Sequence, residues 1–288
     1  MREPLLVRER GDLDEALSRW RRMEEAVAFV PTMGNLHAGH HRLVERARTF
    51  APRVVVSIFV NPTQFGPNED YLRYPRTLAA DLAGLASLGV DLVYVPEVAD
   101  LYPLGVDQAT RIEVPGLSEI LCGASRPGHF AGVASVVLRL FFAIQPVVAL
   151  FGEKDYQQCA VIRRLVSDLR LPVAIERVPT VRDTDGLALS SRNQYLSAEE
   201  RKRAPELYRT LETLALALDA GRRDFPVLEQ EALMRLERSG LVPDYVAVRA
   251  EETLAGPDPA ARGALYRILG AARLGTTRLI DNIGWPAA

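Results

Sequence analysis

Cysteine occurs only twice in the 288 residues, at Cys122 and Cys159, far apart and without CxxC spacing. That excludes a disulfide framework and a thiolate zinc site, and it fits a reducing compartment. A basic excess is also missing. The formal net charge is −2, so nucleic acid is not expected as a partner. Long apolar runs are absent too. The longest, VVLRLFFAIQPVVALF, is interrupted by Arg139, Gln145 and Pro146, and is too punctuated to span a bilayer. The opening MREPLLVRERGDLDEALSRW is charged from its second residue and has no signal-peptide core. A cytoplasmic protein with no membrane partner is expected. Neither a GxxxxGK[ST] loop nor a GxGxxG fingerprint is present, so any nucleotide must be held by another device. Lysine is nearly missing: of 35 basic residues only Lys154 and Lys202 are lysines.

What is present is an alternation. The apolar runs AVAFVPT, RVVVSIFV, DLVYVP, PVVALFGEKD and LPVAIERVPTV read as strands. Between them, LHAGHHRLVERARTF, TLAADLAGLASLG, GVASVVLRLFFAIQ and QQCAVIRRLVSDLR read as helices, with 97–131 irregular. Such alternation gives βαβ units: an α/β, Rossmann-like parallel sheet with helices on both faces, and ligands beyond the carboxyl ends of the strands. After about residue 182 the pattern changes. Residues 197–221 and 225–240 read as helices, and DYVAVRA and ALYRILGAARLG as strands of a small antiparallel sheet. The expected domains are 1–182 and a smaller α+β domain, 183–288, whose first feature is DGLALSSRNQYLS.

The chain has four histidines, and His37, His40 and His41 lie within PTMGNLHAGHHRL. The turn PTMG follows a strand, and a helix starts near His37. His37 and His40 are three residues apart and share a face of its first turn. Free N–H groups and the helix dipole there attract anions, and Gly39 lets a flat group approach. Adjacent helical side chains diverge by about 100°, so His40 and His41 are poor co-ligands for a metal and His41 is expected outside the site. Lys154 stands at a strand end in an arginine-dominated chain. It suits a phosphate, against the plainer alternative of an ion pair with Glu153 or Asp155.

HxGH at this position resembles the signature of the HIGH nucleotidyltransferases. PTMGNLHAGH as a whole is similar to the version in the pantoate–β-alanine ligase family. FVNPTQFGPNEDYLRYPR (59–76), RPGHFAGV (126–133), FGEKDYQQ (151–158), DGLALSSRNQYLS (185–197) and TRLIDNI (277–283) agree, in order and over the full length. The resemblance implies ATP-dependent joining of pantoate to β-alanine, giving pantothenate, AMP and pyrophosphate through a pantoyl-adenylate. It implies His40 as proton donor, with His37 and Lys154 also catalytic. ATP would be bound by Met33, Gly34, Asn35, Leu36, His37, Ala38, Gly39, His40, Gly152, Glu153, Lys154, Asp155, Val181, Leu189, Ser190, Ser191 and Arg192. The SSRN loop of the second domain would close over ATP. Pantoate would meet Gln64 and Gln158, and β-alanine Gln64; neutral amides can hold a carboxylate without blunting its attack. Met33 and the aromatic residues of RPGHF are candidates to wall the pantoate methyl groups. Mg²⁺ is expected with ATP, and no tightly bound organic cofactor. The metal ligands stay open: Asp81 and Asp155 are candidates, and helix capping is an equal alternative for Asp81. A homodimer is implied by the resemblance alone. Departures from the family pattern, Ala131 and Ser135, are mild.

Rival readings are a sister nucleotidyltransferase, a nucleotide-sensing module that keeps HxGH for binding only, and a histidine-ligated metal protein. NPTQFG and FGEKDYQQ weigh against the first, and the presence of Lys154, Gln64 and the SSR loop against the second.

Overall fold

Six β-branched, apolar runs pair in parallel in the computed structural model, which describes residues 3–67, 69–258, 260–261 and 263–286. They are β1 (Leu5–Val7), β2 (Val27–Thr32), β3 (Arg53–Ile58), β4 (Leu92–Tyr94), β5 (Val148–Gly152) and β6 (Ala174–Val178). The sheet order is β1-β4-β3-β2-β5-β6. Its helices are α1 (Arg10–Arg22), α2 (Ala38–Ala47), α3 (Leu78–Ser87), the single turns α4 (Val98–Leu101) and α5 (Cys122–Ser125), α6 (His129–Ile144) and α7 (Tyr156–Asp168). Leu43, Val44 and Ala47 of α2 and Leu85 of α3 pack on Ala28, Val30, Val54 and Val56. On the opposite face Phe29 meets Phe141 of α6 edge to face, with ring centroids 6.4 Å apart. With both faces covered, the central strands are apolar without alternation, which is why they read clearly in sequence.

The sheet has one more strand than the sequence reading provides. Leu5 and Leu6 are substantially exposed, and LLV is too short to stand out, yet it pairs in register with Leu92–Tyr94 of β4. The N-terminal charged run likewise forms α1, which buries Leu13, Leu17 and Trp20 as a stripe at helical spacing. α6 begins at His129, three residues before its expected start.

The chain forms two compact units. One comprises Met1–Gly152 with Val161–Pro179; the other comprises Glu153–Ala160 with Thr180–Ala288. In the second unit the expected helix over 197–221 is two helices, α8 (Ala198–Arg203) and α9 (Glu206–Asp219), parted at Ala204 and Pro205. Pro205 lacks the N–H that a continuous helix would need. A reciprocal Ser197–Glu200 capping box starts α8. α10 (Phe225–Arg238) follows, then an antiparallel sheet of β7 (Val242–Ala250), β8 (Tyr266–Leu274) and β9 (Thr277–Trp285), in that order. Leu207, Leu211, Leu214 and Leu218 of α9 pack with Leu228 and Leu236 of α10 against Val246, Val248, Ile268 and Leu279. Each such buried leucine contributes roughly 1.5–3 kcal/mol.

Candidate active site

The strand order changes direction between β2 and β5, so the switch point of the sheet lies between them. In open α/β sheets this is where ligands bind. β2 runs into the turn Met33–His37, and β5 ends at Gly152. The turn is held by left-handed backbone at Gly34 (φ 81°) and Asn35 (φ 52°). A Cβ at Gly34 would also press on Ile58 Cγ2 and Asp81 Oδ2, so glycine is needed there. Asp81 of α3, 4% exposed, accepts the N–H of Asn35 at 2.9 Å and of Leu36 at 2.8 Å. The Thr77 hydroxyl lies 3.2 Å from both of its oxygens. Asp81 is therefore a clamp on the turn rather than a cap for its own helix.

His37 is the N-cap of α2. Its Nδ1 accepts the Gly39 N–H at 3.1 Å, and His40 Nδ1 accepts the His37 N–H at 3.3 Å. The rings lie side by side, centroids 4.2 Å apart and planes inclined by 48°. With Nδ1 accepting in both, each neutral ring carries its proton on Nε2. From the sequence, free amides are expected to attract an anion here. Instead the N–H groups of Asn35, Leu36, His37 and Gly39 are engaged by side chains, and those of His40 and His41 by the His37 carbonyl. These backbone amides are therefore not free to bind an anion, and the Nε2 atoms of the two imidazoles are not used in these contacts. Gly39 also has another reason: a Cβ there would lie 2.9 Å from the His37 ring, so the flat group it admits is that imidazole. Ala38, between them, is exposed. His41 points to α3, where its Nε2 would sit 3.2 Å from a Cβ on Gly84, apart from the His37–His40 pair.

Gln64 lies in the short 3-10 turn Pro62–Gln64 after β3, 9% exposed. Its Oε1 accepts from Asn61 Nδ2 at 3.1 Å, and its Nε2 faces the Met33 sulfur at 2.9 Å. The structure thus joins Gln64 to the PTMGNLHAGH turn. Asn61 is fixed in turn by Tyr102, Thr63 and the Gly132 carbonyl. A polar chain reaches Gln64 from the other side. His129 Nδ1 donates to the Gln64 carbonyl at 2.8 Å, and Arg126 Nη1 donates to His129 Nε2 at 2.9 Å. Arg126 also forks onto Glu69 at 2.5 and 2.6 Å. Burial would raise the Glu69 carboxyl, but the Arg126 hydrogen bonds and charge outweigh it and hold its pKa at about 2. A cavity of about 350 Å³ adjoins, lined by Thr63, Gln64, Tyr102, Arg111, His129 and Ser135 among others. Asn68 of the NPTQFGPNEDY loop lies outside the described residues.

The second unit brings together the other expected residues. Glu153, Lys154 and Asp155 form a 3-10 turn leading into α7, which carries the half-buried Gln158. The Lys154 side chain is 19% exposed, with Nζ 3.7 Å from Asp155 Oδ1. Val181 and Leu189 close a hairpin: Leu189 N–H donates to the Val181 carbonyl at 3.0 Å, and Arg182 pairs with Ala188. Gly186 (φ 95°) makes its turn, and a Cβ there would strike Tyr208. Ser190 then caps a 3-10 turn over Ser191–Tyr195, its Oγ accepting the Arg192 N–H at 3.3 Å.

Sequence reasoning missed the roles of Asn61, Glu69, Arg126 and His129 around Gln64, and of Arg182, Asp281 and Asn282 beneath the hairpin. All but Arg182 lie in or beside quoted motifs, but spacing alone does not say what they hold. Among the described residues no group of three or more His, Cys, Asp or Glu is arranged to hold a metal ion. No helix among them is long and apolar enough to cross a membrane.

A profile of the family described as Pantoate-beta-alanine ligase matches residues 5–284. The chain is 53% identical over 278 residues to the pantothenate synthetase of Methylococcus capsulatus, covering 96% of each. It is 56% identical over 272 residues to that of Pseudomonas aeruginosa, covering 94% of this chain and 95% of the relative. Among solved structures, a pantothenate synthetase from Thermus thermophilus superposes with a TM-score of 0.89 at 49% identity, covering 97% of this chain and 98% of that one. The pantoate–β-alanine ligase of Francisella tularensis, complexed with β,γ-ATP and β-alanine, gives 0.81 at 35% identity, covering 97% of each.

Proposed function

The chain belongs to the pantoate–β-alanine ligase family and forms pantothenate from pantoate and β-alanine at the expense of ATP; we propose that it does so with the residues described above, as follows. A pantoate carboxylate oxygen attacks the α-phosphorus of ATP, and the bond from that phosphorus to the pyrophosphate oxygen breaks. The β-alanine nitrogen, as free amine, then attacks the acyl carbon. The carbon–oxygen bond to AMP breaks, and the nitrogen sheds a proton to become the amide.

Little covalent help is needed in the first step; positioning and charge neutralisation lower the barrier. His37 and His40 donate hydrogen bonds from Nε2 to phosphate oxygens; with Nδ1 accepting, the His40 ring is neutral and its proton-donor role is that of a hydrogen-bond donor to the growing charge. The engagement of both Nδ1 atoms is the observation that carries this role, because it aims the remaining N–H of each ring away from its own backbone. Lys154, Ser190, Ser191 and Arg192 add donors and positive charge to the same triphosphate. Gln64 and Gln158 hold pantoate, and Gln64 also meets β-alanine. The Gln64 amide fits, since among the described residues its Nε2 faces the weak sulfur acceptor of Met33. ATP arrives as its Mg²⁺ complex, with phosphate oxygens as the main ligands. Asp81, already holding two N–H groups, serves the turn rather than the ion. The family reading also makes the working form a cytoplasmic homodimer, which sedimentation equilibrium checks.

The test is isotope exchange. With ATP, Mg²⁺ and pantoate but no β-alanine, labelled pyrophosphate should enter ATP only when pantoate is present. Well-folded protein that gives no exchange would overturn the adenylate route.

A further inference from the structure

Adjacent residues on a strand point to opposite faces. On β9, Asp281 and Asn282 use this to hold two different segments. Asp281, 5% exposed, accepts the Arg182 fork at 2.6 and 2.8 Å. Arg182 Nη1 also donates to the Gly186 carbonyl at 3.1 Å, and its guanidinium lies 3.9 Å from the centre of the Tyr208 ring. Arg182 thus ties the Val181–Leu189 hairpin, which leads directly into Ser190–Arg192, to β9. Asn282, 3% exposed, turns the other way. Its Nδ2 donates to the carbonyls of Glu153 at 2.8 Å and Lys154 at 3.0 Å, while its Oδ1 accepts from Arg267 Nη1 at 3.2 Å. Arg267 is held by Glu251 and lies over the Tyr156 ring. Finally the Asp281 carboxylate is fixed to the backbone of its neighbour, since the Asn282 backbone N–H donates to Asp281 Oδ1 at 2.7 Å.

We propose that Asp281 and Asn282 are positioning residues that fix the Lys154 turn and the Ser190–Arg192 loop to one point of β9, so that both present their donors to ATP in one register. The inference rests on the reading that these two segments bind ATP. The chemistry selects these residue types. Two successive carbonyls need two donors from one planar group, which an asparagine amide supplies and an aspartate cannot. A guanidinium that must serve a carboxylate and a backbone carbonyl together needs the arginine fork, which lysine lacks.

The test uses Asn282→Asp, which keeps size and the acceptor for Arg267 but loses both donors to the turn, and Arg182→Lys, which keeps charge but loses the fork. Steady-state kinetics should show kcat/KM for ATP falling about 10- to 100-fold in each, while KM for β-alanine stays within about twofold. The double variant should lose less than the product of the two single losses, because the segments share one anchor. A purely structural role predicts instead a lower Tm and equal loss of active sites for all substrates, with KM for ATP unchanged. That result, or parental kcat/KM for ATP in both variants, overturns the proposal. Lys154→Met separates the two levels. If it leaves ATP kinetics unchanged, the ATP-binding reading fails. If it impairs them while Asn282→Asp and Arg182→Lys do not, the anchoring proposal alone fails.

Discussion

The carboxylate of Asp81 holds the backbone N–H of Leu36 at 2.8 Å, and its second oxygen holds that of Asn35 at 2.9 Å. A helix after β3 thereby fixes the turn after β2. Asn35 is a non-glycine residue at φ 52°, which costs energy unless its surroundings hold it there. The orientation of His37, one residue beyond Leu36, depends on that turn.

Asp81→Ala should therefore strand two N–H groups, at about 1–3 kcal/mol each where they stay shielded from water. The expected outcome is a lower Tm together with loss of pantoate-dependent exchange. Asp81→Asn, which keeps one acceptor and turns a donor towards an N–H, should be impaired as well. An alanine variant with parental Tm and exchange would show that the carboxylate does not hold the turn.

Much of this was legible in the sequence, for physical reasons that differ by element. β2, β3 and β5 are buried on both faces, so their apolar runs are unbroken. β1 is exposed at Leu5 and Leu6 and exists through its pairing with β4, which no local pattern encodes. β9 was legible as the motif TRLIDNI but not as a strand, because its buried positions include Thr277, Asp281 and Asn282. His37 and His40 could be paired by helix spacing. The clamp from Asp81, 45 residues away from Leu36, and the chain from Glu69 to His129 depend on tertiary contacts that spacing does not reveal.

Gly132→Ala tests how Gln64 is placed. A Cβ there would run into the Thr63 carbonyl, lie 2.8 Å from the Gln64 backbone nitrogen, and disturb the Asn61 amide bonded to the Gly132 carbonyl. Forcing such contacts costs about 1–3 kcal/mol, relieved by moving the Pro62–Gln64 turn. KM for pantoate should rise more than KM for ATP. Equal rises, or none, would detach Gln64 from pantoate.

Glu69 gives a pH signature. Its folded pKa of about 2 lies below the ordinary value of 4.5, so the unfolded chain binds its proton first. The stabilisation is present in full above the unfolded value and is lost as pH falls towards about 2. Glu69→Gln should lower Tm at neutral pH, and the gap from the parent should close as pH is lowered through that window. A gap independent of pH would mean that the ionised pair with Arg126 contributes nothing.

The histidine tautomers can be read directly. His37 and His40 accept at Nδ1, so their neutral rings carry the proton on Nε2; His129 donates from Nδ1 to the Gln64 carbonyl and accepts from Arg126 at Nε2, so it has the opposite tautomer. Nitrogen NMR of protein labelled at histidine, at a pH where the rings are neutral, should place His129 in one tautomeric class and His37 and His40 in the other. Single substitutions assign the signals. His40→Ala removes both an Nε2 donor and the acceptor for the His37 N–H. It should lower pantoate-dependent exchange by about a hundredfold or more, as loss of a donor to developing charge does elsewhere. The His129 signal should stay in place. If His40 shows its proton on Nδ1, or if His40→Ala exchanges at near-parental rate, the imidazole pair is not aimed at the phosphates and the Nε2 donors have no part in the chemistry.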